Sequence, residues 1–303
     1  MYNCKILADS VSDRGHRLTT FEVTYPRIVL AEMLNHRMFS RNTSSSRAIP
    51  VQKQIAKVRE DPFIPASFGK NEKGMVASTE LDEHDAAFAS QIWEDAIHEA
   101  VGYANELSNF EVHKQLANRV IEPYTWTTQI ITATDWDNFF KLRTAKDAQP
   151  EIRTIAKMMQ EAYDSHSSTL IPQITEPANF SYEWHLPLVS FEEMSDGRGW
   201  EFWKKVSIGR CARTSYLNHD GKRDPEADIA LYDRLWESGH LSPFEHVARP
   251  FSDAEWRTID AIMDEVTHAH IYNGFVRQLL HNMKYVGNLR GWVSARMEME
   301  KKL

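Results

Sequence analysis

Between Asn35 and Arg47 the chain gathers one imidazole, three guanidiniums and a run of hydroxyls, in the order Asn35-His36-Arg37-Met38-Phe39-Ser40-Arg41-Asn42-Thr43-Ser44-Ser45-Ser46-Arg47. These residue types suit a phosphate. Arginine forks pair with phosphate oxygens two at a time, and serine hydroxyls with loop N–H groups complete the shell. A serine run alone is more often a solvated loop, and a lone histidine more often a capped surface or core residue. It is the concentration of both beside arginines that points to a ligand.

Such a loop needs a rigid mount. The apolar run Ile28-Val29-Leu30-Ala31-Glu32-Met33-Leu34 leads straight into it, and Pro26, favoured at a first helical position, starts a helix there. Before it, residues 20–25 alternate, with Phe21, Val23 and Tyr25 on one face and Thr20, Glu22 and Thr24 on the other, the period of a half-buried strand. Amphipathic helices are expected at 87–107 and 151–163, and further helices at 224–238 and 253–268. The β-branched stretch Ile130-Ile131-Thr132-Ala133-Thr134 reads as extended, Asp135 as the cap of a short helix over 136–142, and Arg143 as its end. No internal repeat is visible. The pattern is α/β or α+β, a central mixed or antiparallel sheet flanked by helices.

Composition bounds the function. With 303 residues, 42% hydrophobic and 26% charged, the chain can bury a large core. A net charge of -8 opposes broad affinity for nucleic acid or anionic membrane, both of which draw on surplus Lys and Arg. No apolar run is long enough to span a bilayer and no signal peptide is recognisable, so a cytoplasmic setting is expected. Cys4 and Cys211 are too few for a disulfide framework or a cysteine-rich zinc site. Nothing in sequence pairs Cys211 with a base, which disfavours it as a nucleophile. Asp264, His268 and His270 hint at a metal, but i, i+2 spacing on a helix turns side chains to different faces, so no metal is expected.

The loop residues resemble the signature of the flavin-dependent thymidylate synthases, an Arg-His-Arg followed by Ser and then Arg. His36, Arg37, Ser45 and Arg47 fall in place, and Asn35 stands where the first Arg would be. Gly239-His240-Leu241-Ser242-Pro243-Phe244-Glu245-His246 is similar to the family's Gly-His-x-Thr/Ser-Pro-Phe-Glu-His segment. Arg210-Cys211-Ala212-Arg213-Thr214-Ser215-Tyr216 resembles an arginine and serine segment near the start of those enzymes. Arg143-Thr144-Ala145-Lys146-Asp147-Ala148-Gln149-Pro150-Glu151-Ile152 is similar to the family's Arg-x-x-x-x-Ala-Gln-x-Glu-Ile, and Thr132 and Thr134 replace two polar flavin contacts upstream of it. The order is unusual, because the segments that open the usual member here follow the signature. The chain reads as a circular permutation within one catalytic domain, 1–303. Residues 1–163 carry the usual C-terminal part, 164–208 a connector rich in Ser, Pro, Gly and acidic residues, and 209–303 the usual N-terminal part. Rearrangement of this kind preserves contacts when the termini lie close together. Trp184, Trp200 and Trp203 imply that the connector is partly packed.

The resemblance implies reductive methylation of dUMP to dTMP, with methylenetetrahydrofolate as carbon donor, FAD as hydride carrier, NADPH as reductant and no protein nucleophile. It assigns Arg143 and Ser45 to catalysis, and Ser45, Ser46, Arg47, Arg119 and Arg143 to the nucleotide. FAD would fall to His36, Arg37, Asn138, Ser215, His240, Ser242 and Glu245. It also implies a homotetramer with shared active sites. Two bland readings compete, His240 as a histidine at a helix C-terminus and Glu245 with His246 as a buried hydrogen-bonded pair. Competing functions are a sister flavoenzyme that hydroxymethylates dUMP or acts on dCMP, an inactive flavin- or nucleotide-binding scaffold, and a nucleic-acid binder, which the charge opposes. Arg290 and Trp292, between glycines, read as a turn that either covers a ligand or is structural.

Overall fold

The computed structural model describes residues 1–171, 184–215, 223–257 and 288–300. Strands β1 (Asn3–Ser12) and β2 (Arg17–Pro26) form an antiparallel hairpin. A 3-10 turn (Arg27–Val29) and helix α1 (Leu30–Leu34) follow, then β3 (Ser40–Thr43), α2 (Val51–Glu60), α3 (Glu83–Asn109) and α4 (Lys114–Ala117). A second 3-10 helix (Asn118–Tyr124) leads to β4 (Trp126–Ala133), α5 (Asp137–Arg143), α6 (Pro150–Ser165) and β5 (Thr169–Ile171). Beyond lie α7 (Phe191–Met194), α8 (Gly199–Ala212), α9 (Pro225–Glu237), a 3-10 segment (Ser242–His246), β6 (Ala248–Pro250), β7 (Trp292–Ser294) and α10 (Ala295–Glu300).

The main sheet has the order β3-β4-β2-β1-β5, antiparallel except for the β1–β5 pair, so it is mixed as expected. Its period-2 pattern gives the two faces different chemistry. Phe21, Val23 and Tyr25 of β2, with Ile131 and Ala133 of β4, pack against Phe139 and Phe140 of α5 and Ile152, Ile155 and Met159 of α6. Burying each large apolar side chain of this set stabilises the fold by about 1.5–3 kcal/mol, which fixes the register of β2 against β4. The opposite face carries Thr20, Thr132 and Ser40, all buried, and receives the C-terminal part of the chain.

Contact between the two parts combines an apolar cluster of Leu18, Ile171, Ala248, Leu289 and Trp292 with a buried polar relay. Ser10 Oγ lies 2.9 Å from His185 Nδ1, whose Nε2 lies 2.7 Å from Thr20 Oγ1. Thr20 is hydrogen-bonded to Thr132 across the strands at 2.6 Å, and Thr132 to His246 Nδ1 at 2.8 Å. Burial holds both imidazoles neutral, with pKa values of about 3. A separate core joins α8, α9, α10 and the 3-10 segment through Trp203, Val206, Ile208, Tyr232 and Phe244.

Several expectations are corrected here. Pro26 ends β2, opposite Trp126, and the helix it was expected to start is a 3-10 turn followed by α1. Trp136, with no side-chain capping bond, is the N-cap of α5; Asp135 instead pairs with Arg290 at 2.9 Å, a partner too distant in sequence to anticipate. The end of the 164–208 connector is ordered, since α7 has a full capping box from Ser190 and Glu193 and α8 buries Trp203. Glu245 and His246 do not bond to each other: Glu245 pairs with Arg296, and His246 with Thr132. The helix expected over 253–268 is seen at 253–257, its remainder lying outside the described residues, as do His268 and His270.

Candidate active site

Two clusters form at opposite ends of β3. At its start, Arg143, the last residue of α5, donates from Nε to His36 Nε2 at 3.0 Å. Arginine cannot accept a hydrogen bond, so Nε2 carries the lone pair and the ring proton sits on Nδ1. Burial first, then the Arg143 and Arg41 guanidiniums, hold the imidazole neutral with a pKa of about 4. Phe139 meets it edge-on with ring centroids 4.9 Å apart, and Phe39 lies 5.5 Å away. Bonding through Nε leaves both terminal nitrogens of Arg143 for a ligand. The result is a fixed cationic fork beside apolar ring surface, suited to the carbonyl edge of a flat heterocycle.

At the other end, the serine loop is held by one face of α4 and the 3-10 helix after it. Lys114 Nζ donates to Ala48 O at 3.1 Å, and Asn118 Nδ2 to Ser46 O at 2.7 Å and Ile49 O at 2.9 Å. Ser46 Oγ donates to Glu122. Arg119 pairs with both Glu122 oxygens at 2.9 and 2.8 Å, and Arg27 Nη2 reaches Oε1 at 3.1 Å. Two guanidiniums and a hydroxyl thus converge on one carboxylate. Along β3 four residues of extended chain separate the clusters, about 13 Å at 3.3 Å per residue.

The remaining expected residues are scattered. Arg37, Arg47, Asn138, His240 and Ser242 are exposed, and Ser45 is half-buried. Ser215 closes a 3-10 turn, and its side chain lies outside the described residues. His240 follows a Schellman ending of α9: Gly239, at φ 70°, donates to Trp236 O, and His240 N donates to Leu235 O. The glycine before His240 therefore has a conformational reason, and the histidine is presented beyond the helix end. Just beyond it His246 binds Thr132 of β4, and Cys211 O near the end of α8 accepts from Asn42 Nδ2 of β3 at 2.6 Å.

Sequence reasoning missed Arg27, Glu122, Asn118 and Lys114. The last three had a readable signal, i, i+4, i+8 spacing along one helical face. His185 had none. Arg210 and Arg213 are held by carboxylates: Arg210 by Glu193 at 2.7 Å and Asp228 at 3.0 Å, Arg213 by Asp228 at 2.6 Å. Cys211 is fully buried, which pushes its thiol far up and removes it as a nucleophile. A cleft of about 380 Å³ between α2 and the β2–β4 strands, lined by Thr24, Gln54, Lys57, Trp126 and Thr128, contains none of the expected site residues. Among the described residues, no helix is long and apolar enough to cross a membrane.

Known proteins offer two structural likenesses and one family match. The chain is similar in structure to a UMP/dUMP methylase, PolB from Streptomyces cacaoi, bound with 5-Br UMP, at TM-score 0.46 and 17% identity over 54% of this chain and 88% of that one. A second PolB structure, bound with 5-Br dUMP, is similar at TM-score 0.36 and 19% identity over 49% of this chain and 66% of that one. No curated protein sequence matches the chain. Residues 13–166, which carry His36, Arg37, Ser45, Arg47, Arg119 and Arg143, match the family described as thymidylate synthase complementing protein. The chain therefore belongs to the thymidylate synthase complementing protein family, the flavin-dependent thymidylate synthases.

Proposed function

We propose that the chain methylates dUMP to dTMP, using methylenetetrahydrofolate, FAD and NADPH, without a protein nucleophile. The observation that carries this reading is the neutral His36, packed against Phe139 and accepting from Arg143 Nε, which leaves both terminal guanidinium nitrogens for a ligand. A fork so placed stabilises negative charge as it develops on a pyrimidine carbonyl. Ser46 and Arg119 hold the phosphate, with Ser45 and Arg47 on the same loop.

FAD fits the donors present. His36, Arg37, Asn138, His240 and Ser242 offer rings, amide, hydroxyl and guanidinium at half-buried or exposed positions. Bound FAD supplies the redox chemistry, and the chain supplies position, charge and exclusion of water. Thr132 is spent on Thr20 and His246, and Thr134 accepts from Arg290 N at 3.0 Å, so neither serves as a flavin contact. Together with the exposed Asn35 this favours, as a second reading, a sister flavoenzyme that hydroxymethylates dUMP or acts on dCMP.

Separation of the two clusters supports sites completed between subunits of a homotetramer. The bonds from Asn42 of β3 to Cys211 O and Thr214 Oγ1 support the circular permutation. Mass spectrometry of the product formed from dUMP or dCMP with FAD, NADPH and methylenetetrahydrofolate tests the chemistry. A methyl on dUMP supports the proposal, and a hydroxymethyl group or reaction with dCMP alone moves the chain to the second reading. No product with bound flavin indicates an inactive scaffold. Mixing Arg143→Ala with Arg119→Ala subunits tests the shared site, since reassembly restores activity only if the two arginines come from different chains.

A further inference from the structure

We propose that Glu122 is a built-in competitor for the phosphate. Its carboxylate fills the anion seat made by Arg119, Arg27 and Ser46, and an incoming phosphate must take these donors from it. The inference rests on the reading of the serine loop and Arg119 as the nucleotide's phosphate seat.

Geometry carries the point. Oε1 of Glu122 accepts from Ser46 and Arg119 and forms an ion pair with Arg27 at 3.1 Å, and Oε2 accepts from Arg119. Arg119 Nη1 spans both carboxylate oxygens, Arg27 Nη2 adds a second cation and Ser46 a hydroxyl, and cationic N–H groups with a hydroxyl alongside are what proteins use to hold phosphate oxygens. The carboxylate and Arg27 are well shielded, at 18% and 16% side-chain exposure, while Arg119 is half exposed at 51% and offers the way in. Two cations against one carboxylate leave the seat with one net positive charge. A phosphate monoester brings between one and two negative charges at neutral pH, so it outbids a single carboxylate, whereas a neutral nucleoside does not compete.

Glu122 also closes the grip of Lys114 and Asn118 on residues 46–49. When the phosphate takes Ser46 and Arg119, Asn118 and Lys114 still hold the loop backbone. The seat is thus preformed, and its affinity is set by how strongly the internal anion resists. Arg27 gains a role that its place just after β2 did not advertise: it is the second cation of the seat.

Isothermal titration calorimetry of the full chain with inorganic phosphate, dUMP and deoxyuridine tests this. Glu122→Gln keeps the shape and one acceptor oxygen but removes the charge. Phosphate and dUMP should bind at least about tenfold tighter, 1.4 kcal/mol, with deoxyuridine unchanged. Phosphate binding that is unchanged or weaker in a folded Glu122→Gln protein overturns the proposal. Should that variant fail to fold, Arg27→Gln decides: a tenfold loss of phosphate affinity supports the seat, and unchanged affinity overturns it. If dUMP binds no better than inorganic phosphate in either protein, the nucleotide reading fails while the phosphate titration still judges Glu122.

Discussion

Lowering the pH from about 7.5 to 5.5 should destabilise this protein through its neutral histidines. His185 and His246 are fully buried with pKa values of about 3, and His36 is held at about 4. In the unfolded chain each returns to about 6.5. The unfolded state then binds more protons wherever the pH lies below that value, so the stability of the neutral form is complete above about 6.5 and is lost as pH falls. For a histidine that stays neutral in the fold, the loss over these two pH units is RT ln(11/1.1), about 1.4 kcal/mol. Two buried rings give about 3 kcal/mol, and the half-buried His36, discounted for solvent, adds under 1 kcal/mol. His16 is lowered too and acts in the same direction. Against a typical stability of 5–15 kcal/mol this is a large fraction. Carboxylates titrate lower: although burial opposes it, Arg210 holds Glu193 at about 2, so its contribution is lost as pH falls from the ordinary 4.5 toward 2, outside this window. Urea denaturation at both pH values measures the difference. His246→Asn keeps an acceptor or donor where Nδ1 meets Thr132 and removes one titrating group, so the pH difference should shrink by about 1.4 kcal/mol. Equal stability at the two pH values within about 0.5 kcal/mol, or an undiminished difference in His246→Asn, would refute the assignment of neutral rings.

Other consequences concern single contacts. His36→Leu frees Arg143 and should lower kcat of the proposed methylation by about 10–100-fold, while His36→Gln, which can still accept from Arg143, should lose less; equal activity of His36→Leu and the parent would dismiss the positioning role. Asp228→Asn removes the carboxylate shared by Arg210 and Arg213 and should cost about 3–5 kcal/mol in urea titrations, a loss under about 1 kcal/mol being incompatible with a buried pair. Gly209→Ala would set a Cβ 2.2 Å from Asp228 O where α8 crosses α9. A Tm equal to the parent's would show that the helices are not so closely packed.

Much of the scaffold was legible in local pattern. Alternation over 20–25 identified β2 because one face is apolar and one polar, and the helices at 87–107, 151–163 and 224–238 appear as α3, α6 and α9. Periodicity reports burial of one face, and burial is what these elements share. Two elements were missed: β1, where polar and apolar residues do not alternate cleanly, and α2, although its buried Val51, Ile55 and Val58 keep the helical spacing i, i+4, i+7. Asp135 failed as a cap because a distant arginine offered a stronger partner than a backbone N–H.

By itself the sequence determined the inventory and the family: which groups can bind anions, that Cys211 lacks a base, and that His36, Arg37, Ser45 and Arg47 keep the signature spacing. Motif spacing survives rearrangement of the chain because each block is a local unit of backbone and side chain. Tertiary structure alone decided which groups meet. It joined His36 to Arg143, set Glu122 between Arg27 and Arg119, and spent Thr132 on a buried bridge between His185 and His246. These pairings close over sequence separations as large as 165 residues, where no local propensity acts. They are fixed by which strand lies beside which, and by the cost of leaving a buried polar group without a partner.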